Sequence, residues 1–250
     1  MRSSGSFSLL ALSLVVFSLS TTAAFSAKLS PNFYDKTCPG ALATIKSAVD
    51  AELMRQQRMG ASLLRLFFHD CFIQTCDGSN LLDPAPNIDS EKNAIPNAFS
   101  ARGYDVIDRI RLELDKTCGG PVVSCADIVA VAARDSVVAW GQLTSVVPLS
   151  LRPCPPTANF AALAERAPLD STPRQFDTNY FSNLVQKKGL WDSDQALFLG
   201  GVTDGLVKRY STNREAFFKD FARSMVKMGN FKPLTGNEGQ IRKNCRKVNP

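Results

Sequence analysis

The chain has 250 residues, 44% hydrophobic and 21% charged, a globular balance that excludes wholesale disorder and suits one or two domains with a real core. The net charge of +6 is spread along the chain, a solvated surface first and a mild attraction for polyanions second; no basic run interleaved with aromatics points to nucleic acid. The single histidine, His69, excludes a His-rich zinc site and any mechanism needing two imidazoles.

Residues 1–27 carry Arg2, an apolar run from Phe7 to Leu19 broken only by serines, and small residues from Ser20 to Ala27. This is the pattern of a secretory signal, with cleavage after Ala24 or Ala27. The run is short for a membrane span, so a secreted, extracellular protein with no membrane segment after cleavage is expected. Export implies an oxidising compartment, where most of the seven cysteines pair and an odd one remains. No acceptor site for N-glycosylation is present.

The rest reads as mainly helical, an all-α fold class. Leu42, Ile45, Val49 and Leu53 mark a helix over 41–57. A short, nearly all-apolar helix follows over 61–72, then a polar loop over 73–101. Val106, Ile107, Ile110 and Leu114 line one face of a helix over 104–116. Ser124 caps a helix over 125–140. Residues 141–156 hold Pro148, Pro153, Pro155, Pro156 and Cys154; they are either a linker between helical domains or a splice where a segment has been removed. Asp177 caps a helix running to Lys188, stopped by Gly189. Asn213 to Met228 is amphipathic through Phe217, Phe218, Phe221, Met225 and Met228, with Gly229 as its stop.

Chemistry concentrates in Leu64-Arg65-Leu66-Phe67-Phe68-His69-Asp70-Cys71-Phe72. Arg65 and His69, four residues apart, share a helix face. A fixed cation beside an imidazole keeps it neutral, ready to accept a proton and to have developing negative charge stabilised nearby. On spacing alone, a core histidine beside a snorkelling arginine is the commoner outcome.

The segment resembles the distal haem helix of secreted plant peroxidases, the class III haem peroxidases. Ser30 to Tyr34 with Cys38-Pro39, Cys71 to Ser79, Glu91-Lys92 with Asn97, Ser100 to Gly103, and Val122 to Asp127 resemble further family signatures. So do Leu169-Asp170, Thr172-Pro173, Phe176-Asp177, Ser193 to Gln195, and Met228-Gly229-Asn230 through Cys245. The resemblance covers nearly all of residues 28–250 and implies a haem-peroxidase-like helical fold. It implies H2O2-dependent, one-electron oxidation of small phenolic donors, hence hydrogen peroxide removal and a response to oxidative stress. By resemblance, His69 accepts and passes on the proton of haem-bound peroxide, Arg65 stabilises the leaving hydroxide, and Asn97 fixes the tautomer of His69. It also implies calcium held by Asp70, Asp77 and Ser79 side chains, Ile73 and Thr75 carbonyls, and Glu91 through water. Most family members have glycine at the Thr75 position, and a positive φ there would strain threonine. Asp170, Thr172 and Asp177 resemble remnants of a second calcium site. The implied bridges are Cys38–Cys118, Cys71–Cys76 and Cys125–Cys245.

The pattern fails at one point. The family's axial haem ligand is a second histidine in a Ser-Gly-x-His-Thr motif, and no such histidine exists here. The match breaks near Pro148 and resumes near Leu151 to Cys154. One internal deletion near 148–154 accounts for the lost ligand, the unpaired Cys154 and the prolines. Asp194, which by resemblance would bond the axial histidine, loses its partner. Haem b binding and turnover are therefore expected to be poor, and exposed apolar surface is expected where a helix is lost. Cys154, Met225 or water are the substitutes on offer for the ligand. The alternative is a non-catalytic, calcium-binding, disulfide-stapled secreted protein, or an inactive splice variant, with acidic wall polysaccharide as a partner.

Overall fold

The computed structural model describes residues 29–73, 75–141, 170–236 and 238–250. Residues 1–27, expected to be a secretory signal, and the proline-rich junction with Cys154 lie outside the described residues.

The described residues form eight α-helices and no strand beyond an isolated bridge between Ala85 and Ile88. In order they are α1 (Ala41–Arg55), α2 (Met59–Ile73), α3 (Tyr104–Cys118), α4 (Cys125–Gly141), α5 (Asn179–Val185), α6 (Asp192–Gln195), α7 (Asp204–Thr212) and α8 (Arg214–Gly229). Short 3₁₀ turns occupy Ser79–Leu81, Glu91–Asn93 and Ala196–Phe198.

The first four helices make the core. Helix α4 packs along α2 and α1, and α3 closes on α1. Ile45, Val49 and Leu53 of α1 and the whole predicted face of α3 are buried, whereas Leu42 is only half-buried. The burial of Ile107, Ile110, Ile128 and Ala132 is complete, so the apolar stripes meet as their spacing requires. Ser124 caps α4 as expected: its Oγ accepts the Asp127 amide at 3.0 Å. Tyr34 donates to the Asp127 carboxylate at 2.5 Å, anchoring the N-terminal segment there.

Helices α5, α7 and α8 form a second, aromatic layer. Phe176 stacks on Phe218 and meets Phe217 and Phe221, while Phe181 meets Tyr210 and Phe217. These rings are half-buried; Met225 and Met228 of α8 enter the main core and Phe221 packs against it. Asn213 caps α8, its Oδ1 accepting the Ala216 amide at 2.8 Å.

Two expected stops fall elsewhere. Helix α5 ends at Val185, before Gly189, because Lys187 turns the chain with a φ of 57°. Gly229 is the last helical residue of α8 rather than its left-handed stop, and Asn230 caps the end. Helices α6 and α7, of four and nine residues, have too few turns for a repeat to stand out in the sequence. Leu199 and Val202, between them, are exposed.

All three bridges are present: Cys38–Cys118, Cys71–Cys76 and Cys125–Cys245. The third joins the start of α4 to the C-terminal segment across 120 residues, and both of its cysteines are buried in the main core. Ile110→Ala should cost roughly 3 kcal/mol, and Asn213→Ala about 1 kcal/mol. Both should appear as lowered denaturation midpoints with disulfides intact.

Candidate active site

Helix α2 turns two consecutive side chains to opposite tasks, His69 towards the loop at 91–101 and Asp70 towards the loop at 75–79. His69 Nδ1 lies 2.5 Å from Asn97 Oδ1. The Asn97 amide nitrogen donates to the Glu91 carbonyl at 2.8 Å, which turns its oxygen to the ring. Nδ1 must then carry the hydrogen, and Nε2 keeps a free lone pair. Burial, reinforced by the Arg65 charge, holds His69 below its ordinary pKa; the Asn97 bond opposes this weakly. His69 is therefore a neutral base at pH 7.

Arg65 sits one turn before His69, as its spacing predicts. Its guanidinium donates to the Ser100 carbonyl at 2.8 Å, the Pro96 carbonyl at 2.7 Å and Ser100 Oγ at 3.0 Å. The loop bearing Asn97 is thus held to α2 at both His69 and Arg65. Sequence spacing alone missed Pro96 and Ser100 as partners, because backbone carbonyls leave no residue-type signal.

The next loop gathers hard oxygen donors. Asp70 Oδ2 accepts the Gly78 amide at 3.0 Å, Asp77 Oδ1 accepts the Ser79 amide at 2.8 Å, and Ser79 Oγ donates to Glu91 Oε1 at 2.6 Å. Asp70 Oδ1 and Glu91 Oε2 are buried without partners. Burial, with the charges of Asp77 and Glu91, pushes Asp70 up to about 8. Two orphaned carboxylate oxygens beside further oxygen donors fit a hard divalent cation, which would reverse that shift. Among the described residues no three acidic, histidine or cysteine side chains converge on one point, so Ser79 and the carbonyls of Ile73 and Thr75 would have to complete the set.

The Thr75 hydroxyl donates to the Lys232 carbonyl, and Lys232 itself has a left-handed φ of 48°. Cys76 and Met228 add a second contact, so the loop is sewn to the segment after α8.

Asp170, Thr172 and Asp177 also come together, linked by hydrogen bonds of their own. Asp170 accepts the Thr172 amide at 2.8 Å, Asp177 accepts the Asn179 amide at 2.8 Å, and the Asn179 side chain bonds both Thr172 and Asp177. Asp194, the expected orphan, is satisfied: Tyr180 donates to Oδ1 and the Trp191 amide to Oδ2, both at 3.0 Å.

The lone imidazole makes this site readable by proton NMR. The His69 ring should titrate below the ordinary 6.5; Arg65→Leu should raise that pKa, and Asn97→Ala should lower it. Because the folded pKa is depressed, unfolded chain binds more protons below pH 6.5. His69 therefore lends full stability above that pH and loses it as pH falls through the folded value, a slope that His69→Gln should remove.

The peroxidase family model matches residues 45–151 and 149–213. The chain is 41% identical to Peroxidase 70 of Zea mays, covering 94% of this chain and 97% of that protein. It is 39% identical to Peroxidase 4 of Vitis vinifera over 98% of this chain and 99% of the other. Against the lignin-forming anionic peroxidase of Nicotiana sylvestris it is 41% identical over 89% and 92%. With matches of this breadth around the His69–Asn97 pair and the mainly helical fold, the chain belongs to the plant peroxidases of class III, oxidoreductases that act on hydrogen peroxide.

Proposed function

We propose that this chain derives from a secreted, calcium-binding haem peroxidase of phenolic donors and, as it stands, holds haem weakly and turns over slowly or not at all. One observation carries this: the only imidazole is committed to Asn97. The residues present do not fit haem on its axial side. Met225 and Met228 are buried in the core, and both Asp194 oxygens are occupied. Cys154 lies outside the described residues. Two further observations support an internal deletion near 148–154. The family match falls into two blocks that meet at residues 149–151. The alignment with the Zea mays relative runs over 311 positions, more than the 250 residues of this chain.

What the remaining residues offer is proton handling. His69 Nε2 accepts a proton from a hydroperoxide held beside it. Arg65 lowers the cost of negative charge developing nearby. Asn97, held by Glu91, keeps the ring in the accepting tautomer. Calcium, held by Asp70, Asp77 and Ser79 with the carbonyls of Ile73 and Thr75 and with Glu91 nearby, would supply the charge that keeps Asp70 ionised. The hydrogen bonds that tie Asp170, Thr172 and Asp177 to one another and to Asn179 favour a structural turn over a second metal site.

The non-catalytic alternative gains from where the charge lies. The net charge is not evenly spread: residues 170–250 hold fourteen Lys and Arg against eight Asp and Glu, while residues 1–169 balance at fifteen each. A basic C-terminal third suits an acidic polysaccharide. Among the described residues no helix is long and apolar enough to cross a membrane.

The test is to refold the chain without residues 1–27 in calcium, oxidised glutathione and haemin. Broad, free-haem-like absorption and no phenol oxidation that depends on His69 are expected. A defined Soret band at one haem per chain, with turnover lost in His69→Ala, would overturn the proposal.

A further inference from the structure

Arg242 is a buried cation, 6% exposed, on the C-terminal segment just before Cys245. The Cys125–Cys245 bridge fixes that segment against the start of α4. One guanidinium nitrogen donates to the Gly78 carbonyl at 2.6 Å and lies 3.4 Å from the Asp77 carbonyl. Among the described residues no carboxylate lies within ion-pair distance of Arg242. Its negative neighbours are Asp70 and Asp77, which act on it across the loop backbone. The fit behind the loop is close: a Cβ on Gly78 would stand 2.6 Å from the same nitrogen, and the Gly78 φ of 71° already favours glycine. The loop therefore has two orphaned carboxylate oxygens in front and a buried guanidinium behind. A buried charge survives only where its surroundings compensate it. Here carbonyl dipoles and the two loop carboxylates do so.

We propose that Arg242 is the resident counter-cation of the Asp70–Ser79 loop, holding it in a metal-ready shape when calcium is absent and so reducing the protein's dependence on the metal. This rests on calcium occupying that loop. Arg242 and the metal act on the same carboxylates, so each makes the other less valuable, and the antagonism is reciprocal. Removing the arginine charge should hurt the metal-free protein more than the loaded one, and should tighten calcium binding.

The test is thermal unfolding of the disulfide-intact chain without residues 1–27, in EGTA and in millimolar calcium, with calcium affinity measured by titration calorimetry. Arg242→Gln should melt much lower in EGTA but only slightly lower in calcium, so that the calcium-induced rise is roughly doubled. Its calcium Kd should fall. Arg242→Lys, which keeps the charge, should behave like the parent. Arg246→Gln breaks the 2.6 Å pair with Asp108 on the same segment and should lower both melts equally. An equal or smaller calcium shift in Arg242→Gln overturns the proposal. So does an Arg242→Gln chain that fails to fold even with calcium while Arg242→Lys folds. If the parent neither binds calcium nor shifts with it, the calcium assignment itself fails and the proposal goes with it.

Discussion

Glu91 faces two ways. Its carbonyl accepts from the Asn97 side chain, and so decides which nitrogen of His69 keeps the proton. Its carboxylate accepts from Ser79 at one oxygen and leaves the other buried without a partner. The base and the cation loop are thus linked through a single residue on a 3₁₀ turn. Neighbouring positions on one helix, His69 and Asp70, feed the same turn from the other side. A change in the charge balance of the loop reaches the imidazole through two short hydrogen bonds, without passing through the core.

Much of the fold was legible because burial enforces periodicity. Ile45, Val49 and Leu53, and likewise Ile107, Ile110 and Leu114, occupy the predicted face since each helix presents one side to a common core. The second layer was harder to read. Helices α6 and α7 are short and polar, and α5 stops where Lys187 adopts a left-handed φ that no sequence rule forces on lysine. In the site, the four-residue spacing placed Arg65 and His69 together, but nothing in spacing pairs His69 with a residue 28 positions away. Family resemblance supplied Asn97. Neither route found Tyr180, Asn179 or Arg242, because their partners are either carboxylates that resemblance assigned elsewhere or plain backbone carbonyls.

The satisfied and unsatisfied polar groups divide the molecule. Around Asp170, Thr172, Asp177 and Asp194, protein donors answer the acceptors, Tyr180 filling the place at Asp194 Oδ1. Around Asp70 and Glu91 two acceptors stay open. In a folded protein an open buried carboxylate calls for a cation or a proton, and a closed one for neither. Residues 1–169, which hold the open acceptors, carry no net charge, and residues 170–250 carry all of it.

The position of Arg242 also sets an order of events. A chain made from its N-terminus can complete Cys71–Cys76 and Cys38–Cys118 before residue 242 exists. Cys125–Cys245 can close only after nearly the whole chain has emerged, and Arg242 arrives with it. Through most of synthesis the Asp70–Ser79 loop therefore has its disulfide and its acids but not its arginine. The nascent protein is more acidic at this point than the finished one, and this is the stage at which a metal ion has the most to offer.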